Sequence, residues 1–522
     1  MSTEDATGMS TEREILVVGS GIAGCAAALG AVREGAEVLL VTKAERPEDT
    51  ATDWAQGGIA TARGDPDSLN EDIIDASDGT ADEEAVDVLV SEADSVVRDV
   101  LVETLDVPFD GPDGSFDYAR EAAHSEERIL HVDASTGEHV LRPFLNYLDN
   151  HDRIEILEDT AALDLITHEG RVHGAVLDTT PDGEPATMGE PVYAGATILA
   201  TGGIGACYGR STNPEGATGD GIALGALAGA DVADMEFVQF HPTAYAPPEG
   251  EVADSDGDTF LVSEAVRGAG ATLENGEGER FMPEYHEDAE LAPRDVVARA
   301  VARECERTGE VVLDVSELDF RAEFPDLAAL CEKAGVERPE IPVAPTQHFL
   351  CGGIDVDLYG RASLGRLYAV GECARTGVHG ANRLGSTSLL EGLVWGLRAG
   401  ADAAGKTPEP VEAPELLDRD PALPDRFAAE KFVRLQQVMD EHVGLQRSPD
   451  GLQRAGAVLR RLKGEVDAYV RTRTSRSLYE LRNAAVTALL VTRAAADNPN
   501  SVGCHHVVED RDEHAETGAT AD

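Results

Sequence analysis

The 522-residue sequence predicts an α/β fold built around a doubly wound, dinucleotide-binding sheet, and three observations predict it. An apolar run at 15–18 enters Gly19-Ser20-Gly21-Ile22-Ala23-Gly24, then an alanine-rich helical stretch, then a second apolar run at 37–41. That is a strand, tight turn, helix, strand unit, in which the glycines let backbone approach a pyrophosphate at a helix N-terminus. Two later runs, 196–200 and 367–370, stop at Thr201-Gly202-Gly203 and Gly371-Glu372, as strands do whose ends face a ligand crevice. The texture between 234 and 348 is different, with polar loops, helices and a proline-rich connection at 339–345, so an inserted α+β unit is expected there, placed to act as a lid.

At roughly 150 residues per domain the chain should hold about three. The boundaries expected are 1–233 with 349–410 for the discontinuous nucleotide-binding domain and 234–348 for the inserted capping domain. After a proline-rich linker, helical periodicity at 452–470 and 477–494 marks a C-terminal helical domain over 420–508. The acidic, small-residue tail 509–522 is expected to be disordered.

Acidic residues outnumber basic ones 99 to 42, a formal net charge of −57 that repels nucleic acid and anionic lipid. The excess is spread along the chain, and Lys43, Lys333, Lys406, Lys431 and Lys463 are its lysines, a pattern that points to a salt-rich, halophilic setting where screening offsets self-repulsion. Apolar residues make up 42% with no run long enough to cross a bilayer, so no membrane partner is expected. Seven cysteines, an odd number without a C-x-x-C pair, read as reduced thiols. Cys504-His505-His506 lacks further paired ligands nearby and reads as packing, so no metal is expected. Residues 1–13 are polar and acidic, unlike a signal peptide, which leads to a cytoplasmic expectation.

The second strand ends in Thr42-Lys43, where a nicotinamide-dinucleotide site would carry an acid. Gln56-Gly57-Gly58 follows a threonine-containing stretch and can bring N–H groups against a flat polar ring. With Gly219-Asp220-Gly221 and His379-Gly380-Ala381-Asn382-Arg383 added, the sequence resembles a known family, the flavoprotein subunits of succinate dehydrogenase and fumarate reductase together with a soluble aspartate-oxidising branch. The most specific blocks are Gln239-Phe240-His241-Pro242-Thr243, Glu264-Ala265-Val266-Arg267-Gly268, Leu291-Ala292-Pro293-Arg294-Asp295, 348–353 and 379–391.

The resemblance implies a Rossmann-like FAD-binding domain with FAD held by Gly19, Ser20, Gly21, Ile22, Ala23, Gly24, Lys43, the 51–58 loop with Ala51, Thr52, Gln56, Gly57 and Gly58, and Asp220, Glu372, Ser388 and Leu389. Ser388-x-x-Glu391 also reads as a capping box opening a helix aimed at the flavin. Respiratory members attach FAD through a histidine where Ala51 stands, so a noncovalent flavin is implied. His241, Ser263, His348 and Arg383 match positions that bind a dicarboxylate, and Arg294 matches the acid/base group that exchanges a proton with the substrate carbon. Pro293 reads as the first helical residue, placing Arg294 in a first turn where a cation is disfavoured by about 0.3–1 kcal/mol. Arg120-Glu121-Ala122-Ala123-His124-Ser125 resembles the block that brings a glutamate to a substrate ammonium, although the family has Gly-Gly where Ala122-Ala123 stand. The implied reaction is oxidation of L-aspartate to iminoaspartate with O₂ or fumarate as acceptor, opening de novo NAD synthesis and feeding quinolinate synthase. The alternative is a flavoprotein subunit of a membrane-attached succinate dehydrogenase or fumarate reductase.

Overall fold

The computed structural model describes residues 12–111, 115–133, 135–179, 189–247, 259–336, 338–416 and 426–509. Apart from Glu509, the tail expected to be disordered lies outside the described residues, as does most of the acidic N-terminal stretch.

The apolar runs at the start of the chain form β1 (Glu12–Val18) and β2 (Val38–Val41), with α1 (Ile22–Arg33) crossing between them. β1 pairs in parallel with β2 on one side and with the long strand Glu190–Leu199 on the other; Ile154–Leu157 extends the sheet beyond β2. Glu190–Leu199 changes partner along its length, its first residues pairing antiparallel with Arg171–Asp178 and its last three pairing in parallel with Leu367–Ala369. The ends of β1, of Glu190–Leu199 and of Leu367–Ala369 therefore stop side by side, which is where Gly19, Thr201 and Gly371 begin their turns.

Side chains alternate between two cores. Ile15, Val17, Val38 and Leu40 face a cluster that includes α1 and the helix Ser388–Ala403. Leu16, Val18, Leu39 and Val41 face the other, which they share with Leu435, Met439, Leu459, Leu462, Leu481 and Ala488 of the helices Phe427–His442, Pro449–Val470 and Arg476–Asp497. Burial on both faces is the usual condition of a parallel sheet. A third cluster, from Tyr245 to Val343, belongs to a four-stranded antiparallel sheet and the helix Arg294–Thr308.

The proline-rich stretch read as a connection at 339–345 is instead part of an 11-residue strand, Glu340–Leu350, central in that sheet. Pro342 is the last residue paired to Val311–Asp314, and Pro345 falls where the register against Val238–Tyr245 shifts between His241 and Ala244. The Pro342 carbonyl accepts from Ala246 N–H just past the end of Val238–Tyr245, and Pro345 sits in the shifted stretch; strand ends and register shifts are where a sheet tolerates proline.

α1 and Ser388–Ala403 touch without intervening side chains: a Cβ on Gly396 would lie 2.6 Å from the Ala23 carbonyl oxygen, and one on Gly400 would lie 2.0 Å from that of Ala27. The contacts advance in step along both helices, so the two run parallel and present their N-termini to one place.

Candidate active site

That place is a cleft enclosing about 1120 Å³ of atom-free space, its open mouth included, lined by Gly21, Ile22 and Ala23, by the Ala51–Gly58 loop and by Ser388 and Leu389. Its local geometry follows from glycine. Gly19 has φ +113°, and a Cβ there would sit 2.1 Å from the Ala200 carbonyl oxygen; at Gly24 it would sit 1.9 Å from that of Gly19. Side chains at these positions would force strand, turn and helix apart. Ile22 N–H donates to Thr52 Oγ1, tying the helix start to the second glycine loop. Ala51, half-buried on the cleft wall, offers a methyl group and no nucleophile.

Glu372 lies in the turn after the strand Leu367–Ala369, its carboxylate filling the space above Gly203 and accepting from Leu350 N–H at 2.9 Å. Burial pushes its carboxyl up to about 7. Ser20 lies on the other side of the glycine turn, its hydroxyl 2.9 Å from Thr42 Oγ1, and lines a second cavity with Thr42, Ala44, Arg46 and Glu158 at the end of β2. Lys43 and Asp220 meet each other at 2.6 Å, with Glu480 on Lys43 and Asn483 on Asp220, and do not line the main cleft.

The capping box expected at Ser388 does not form. Thr387 occupies the cap position without a side-chain cap bond, and Glu391 turns inward to accept from Thr376 and meet His379 Nε2 at 2.9 Å. Two buried partners outcompete a single backbone N–H for that carboxylate. Pro293 is likewise the cap rather than the first turn, so Arg294 opens its helix.

Beyond the glycine loops the cleft is lined by Glu121, His241, Ser263, Glu264, Arg294, His348 and Arg383. His241 and His348 come from neighbouring antiparallel strands, their ring centres 5.3 Å apart. Burial, reinforced by Arg294 and Arg383, holds both imidazoles well below their usual range, so they are neutral. His241 Nδ1 accepts from Thr243 N–H, which leaves its proton on Nε2. Arg383 donates to His348 Nε2 at 2.9 Å and lies over the Phe349 ring, so His348 carries its proton on Nδ1 and gives it to Thr212 Oγ1. Burial, with repulsion from Arg294 added, lowers the Arg383 guanidinium to about 10, still cationic at neutral pH. Ser263 caps its short helix by accepting from Ala265 N–H, which keeps the hydroxyl proton available.

Arg294 is 8% exposed and donates to Gln239 Oε1 and to Glu264 Oε2, both at 2.9 Å. Glu264 also takes Arg267 at 2.7 Å; buried between two guanidiniums, it is held down at about 2. Glu264 and Gln239 had no assigned role in the sequence reading. Glu264-x-x-Arg267 has the spacing of an ordinary helix-surface ion pair, and nothing local shows that both are buried.

Glu121 is 5% exposed and accepts from Ser386 Oγ at 2.8 Å. Burial and the neighbouring Glu264 raise its carboxyl, with Arg294 and the Ser386 bond opposing. A Cβ at Gly385 would meet Glu121 Oε2, Glu264 Oε2 and Arg294 Nη2 at 2.6, 2.8 and 3.1 Å, so these three charged groups converge on one glycine. Ala123 has φ +64°, a left-handed backbone. His241 Nε2, Arg294 Nε, Arg383 Nε and Gln56 Oε1 are buried without a hydrogen-bond partner among the described residues. Buried groups left so call for a polar ligand.

Residues 14–389 match the family model described as FAD binding domain. The cleft and the double glycine loop are thus those of a flavoprotein. The FrdA subunit of E. coli quinol fumarate reductase superposes with TM-score 0.83 at 26% identity, over 96% of this chain and 93% of that one. Sdh1 of Mycobacterium smegmatis gives 0.77 at 28%, over 95% and 88%. Sequence similarity to L-aspartate oxidases is greater: 68% identity with that of Halobacterium salinarum over 95% of this chain and 96% of the relative, and 38% with that of Streptomyces coelicolor over 99% and 91%. The chain belongs to the L-aspartate oxidase family. Among the described residues no helix is long and apolar enough to cross a membrane.

Proposed function

We propose that this protein oxidises L-aspartate to iminoaspartate with a noncovalent FAD, and the observation that carries the reading is Glu121 buried in the same cleft as Arg294, Arg383 and the two neutral histidines. The residues present fit the cofactor: two close-packed glycine turns, two parallel helix N-termini, an unpartnered Gln56 Oε1, and Glu372 with acceptor capacity to spare for a sugar or ribityl hydroxyl. Ser20 to Gly24 would carry the pyrophosphate between the main cleft and the cavity beside Thr42, and Lys43 and Asp220 would brace that end. FAD, when bound, supplies the hydride acceptor. Ala51 supplies no atom for a covalent link.

The two carboxylates of aspartate find Arg383, the His241 Nε2–H, the Ser263 hydroxyl and Arg294. The neutral His241 donor orients a carboxylate without adding charge that would trap the product, whereas His348, with both ring nitrogens engaged, acts by holding Arg383. Glu121 faces the ammonium, which distinguishes aspartate from succinate. Arg294 exchanges the proton at the substrate carbon. Pairing with Glu264 raises its guanidinium, which favours the protonated form, and the bonds to Gln239 and Glu264 fix the group beside that carbon. The inserted unit, which contributes His241, Ser263, Glu264, Arg294 and His348, covers the cleft as a lid.

Oxygen or fumarate takes the electrons, and iminoaspartate passes to quinolinate synthase in the first step of de novo NAD synthesis in the cytoplasm. Anaerobic addition of aspartate to the purified holoprotein should bleach the flavin, and oxygen or fumarate should restore it. Flavin colour left in the pellet after acid precipitation would contradict the noncovalent cofactor.

A further inference from the structure

Two side-chain hydrogen bonds tie the Glu121 loop to the facing turn at 385–386, Ser386 to Glu121 and a histidine without a task so far, His124, to Gly385. His124 is 2% exposed and lies three residues after Glu121 in a loop closed by His124 N–H to Glu121 carbonyl oxygen at 3.2 Å. Its Nε2 is 3.1 Å from the carbonyl oxygen of Gly385, and its Nδ1 has no partner among the described residues. A carbonyl only accepts, so Nε2 carries the proton, and burial, which disfavours the charged ring, keeps the imidazole neutral. Gly385 is the residue against which Glu121, Glu264 and Arg294 converge, and Ser386 next to it donates to Glu121.

Neither segment has an intrinsic preference for this arrangement. Ala123 has φ +64° and Ser386 has φ +57°, both in the left-handed region that non-glycine residues avoid. Strain of this kind persists where surrounding contacts over-determine it. Arg120 Nε to the His124 carbonyl at 2.9 Å and Ser125 N–H to Asp72 at 2.9 Å hold the outer side of the loop, and Ala60 N–H to the Ser386 carbonyl at 2.9 Å holds the facing turn. Across the two segments the ties are His124 to Gly385 and Ser386 to Glu121.

We infer that His124 is a positioning residue for amine recognition: its Nε2–H strap to the Gly385 carbonyl fixes the Glu121 loop so that the carboxylate meets the substrate ammonium. The inference rests on the aspartate reading. His124 touches no substrate, so its effect should fall on discrimination between an amine-bearing and an amine-free dicarboxylate.

The test compares His124→Leu and His124→Gln with wild type, measuring kcat/KM for aspartate, the inhibition constant of succinate, and flavin content. A glutamine amide can reach Gly385 as Nε2 does. Expected is a roughly tenfold loss for aspartate in His124→Leu, the scale of one buried hydrogen bond, with succinate binding unchanged or tighter, flavin content retained, and most activity restored by Gln. Parallel loss for both ligands, or full activity of the leucine variant, overturns the inference. Should His124→Leu not accumulate folded, His124→Asn against His124→Gln decides: Asn, too short for the strap, should lose discrimination, and equal behaviour overturns. A wild type inert toward aspartate defeats the underlying reading instead; succinate affinity then decides the strap, tighter binding in His124→Leu supporting it and any other result overturning it.

Discussion

Replacing Glu121 by Gln removes one charge and almost nothing else. The amide oxygen can still accept from Ser386 Oγ, and the group keeps its buried place 5% exposed against Gly57 and Gly385. Lost repulsion from Glu264 and lost attraction to Arg294 act in opposite directions on the fold, so flavin content and melting should change little. The substrate sees a larger change. A charge-assisted contact to an ammonium is worth about 1.5–3 kcal/mol, and without it that charge enters a site already holding Arg294 and Arg383. The expected loss in kcat/KM for aspartate is therefore roughly ten- to a hundredfold. Succinate, whose binding the anion opposes, should bind equally or more tightly.

The pH profile adds a second signature. The Glu121 carboxyl lies above the ordinary glutamate range, so aspartate turnover should fall as pH drops through that raised value, where protonation removes the anion. The variant should lack this acidic limb. Steady-state kinetics on both proteins at one high salt concentration, with succinate as inhibitor, provides the assay. Equal loss for aspartate and succinate, or an unchanged acidic limb, would refute the reasoning and leave Glu121 a loop support.

Arg294→Lys should keep FAD bound yet reduce turnover by at least a hundredfold, the usual scale of acid/base catalysis, because an ammonium cannot span Gln239 and Glu264 together; turnover near wild type would assign the proton to another group. Ala123→Gly should raise stability by about 1 kcal/mol by relieving the left-handed alanine, read as a higher denaturant midpoint at unchanged slope, and a lower midpoint would show the strain to be absent. Screening of the −57 charge should make the melting temperature climb with KCl into the molar range, and a flat curve would count against salt adaptation.

The first βαβ unit was readable because apolar runs, glycine spacing and an alanine-rich helix agree locally; β1 ends at Val18 and β2 spans Val38–Val41, within a residue of the runs, while β1 begins at Glu12, ahead of its run, and α1 begins at Ile22, inside the glycine turn. The strand carrying His348 was not. Pro339, Pro342 and Pro345 argue against a strand, and it exists because its neighbours end or shift register where the rings fall. Glu391 shows the same limit, since a capping spacing cannot reveal that Thr376 and His379 wait for the carboxylate. In the cleft, family blocks singled out the groups that line it, from Glu121 to Arg383, but gave no role to Glu264 or Gln239, which stand in the same blocks. Their positions depend on contacts more than twenty residues away in sequence. Lys43 and Asp220 show the converse, recognisable by resemblance yet engaged with each other and Glu480.

What the cleft oxidises separates an aspartate oxidase from a succinate-oxidising relative most directly. Purified, FAD-loaded protein in molar KCl should be given L-aspartate or succinate in air while peroxide and the keto acid formed by hydrolysis of iminoaspartate are followed. Aspartate should yield the two in equal amounts and succinate neither. Succinate oxidation at a comparable rate, or aspartate left untouched, would contradict the assignment of Glu121 as the ammonium partner and of this chain as an aspartate oxidase.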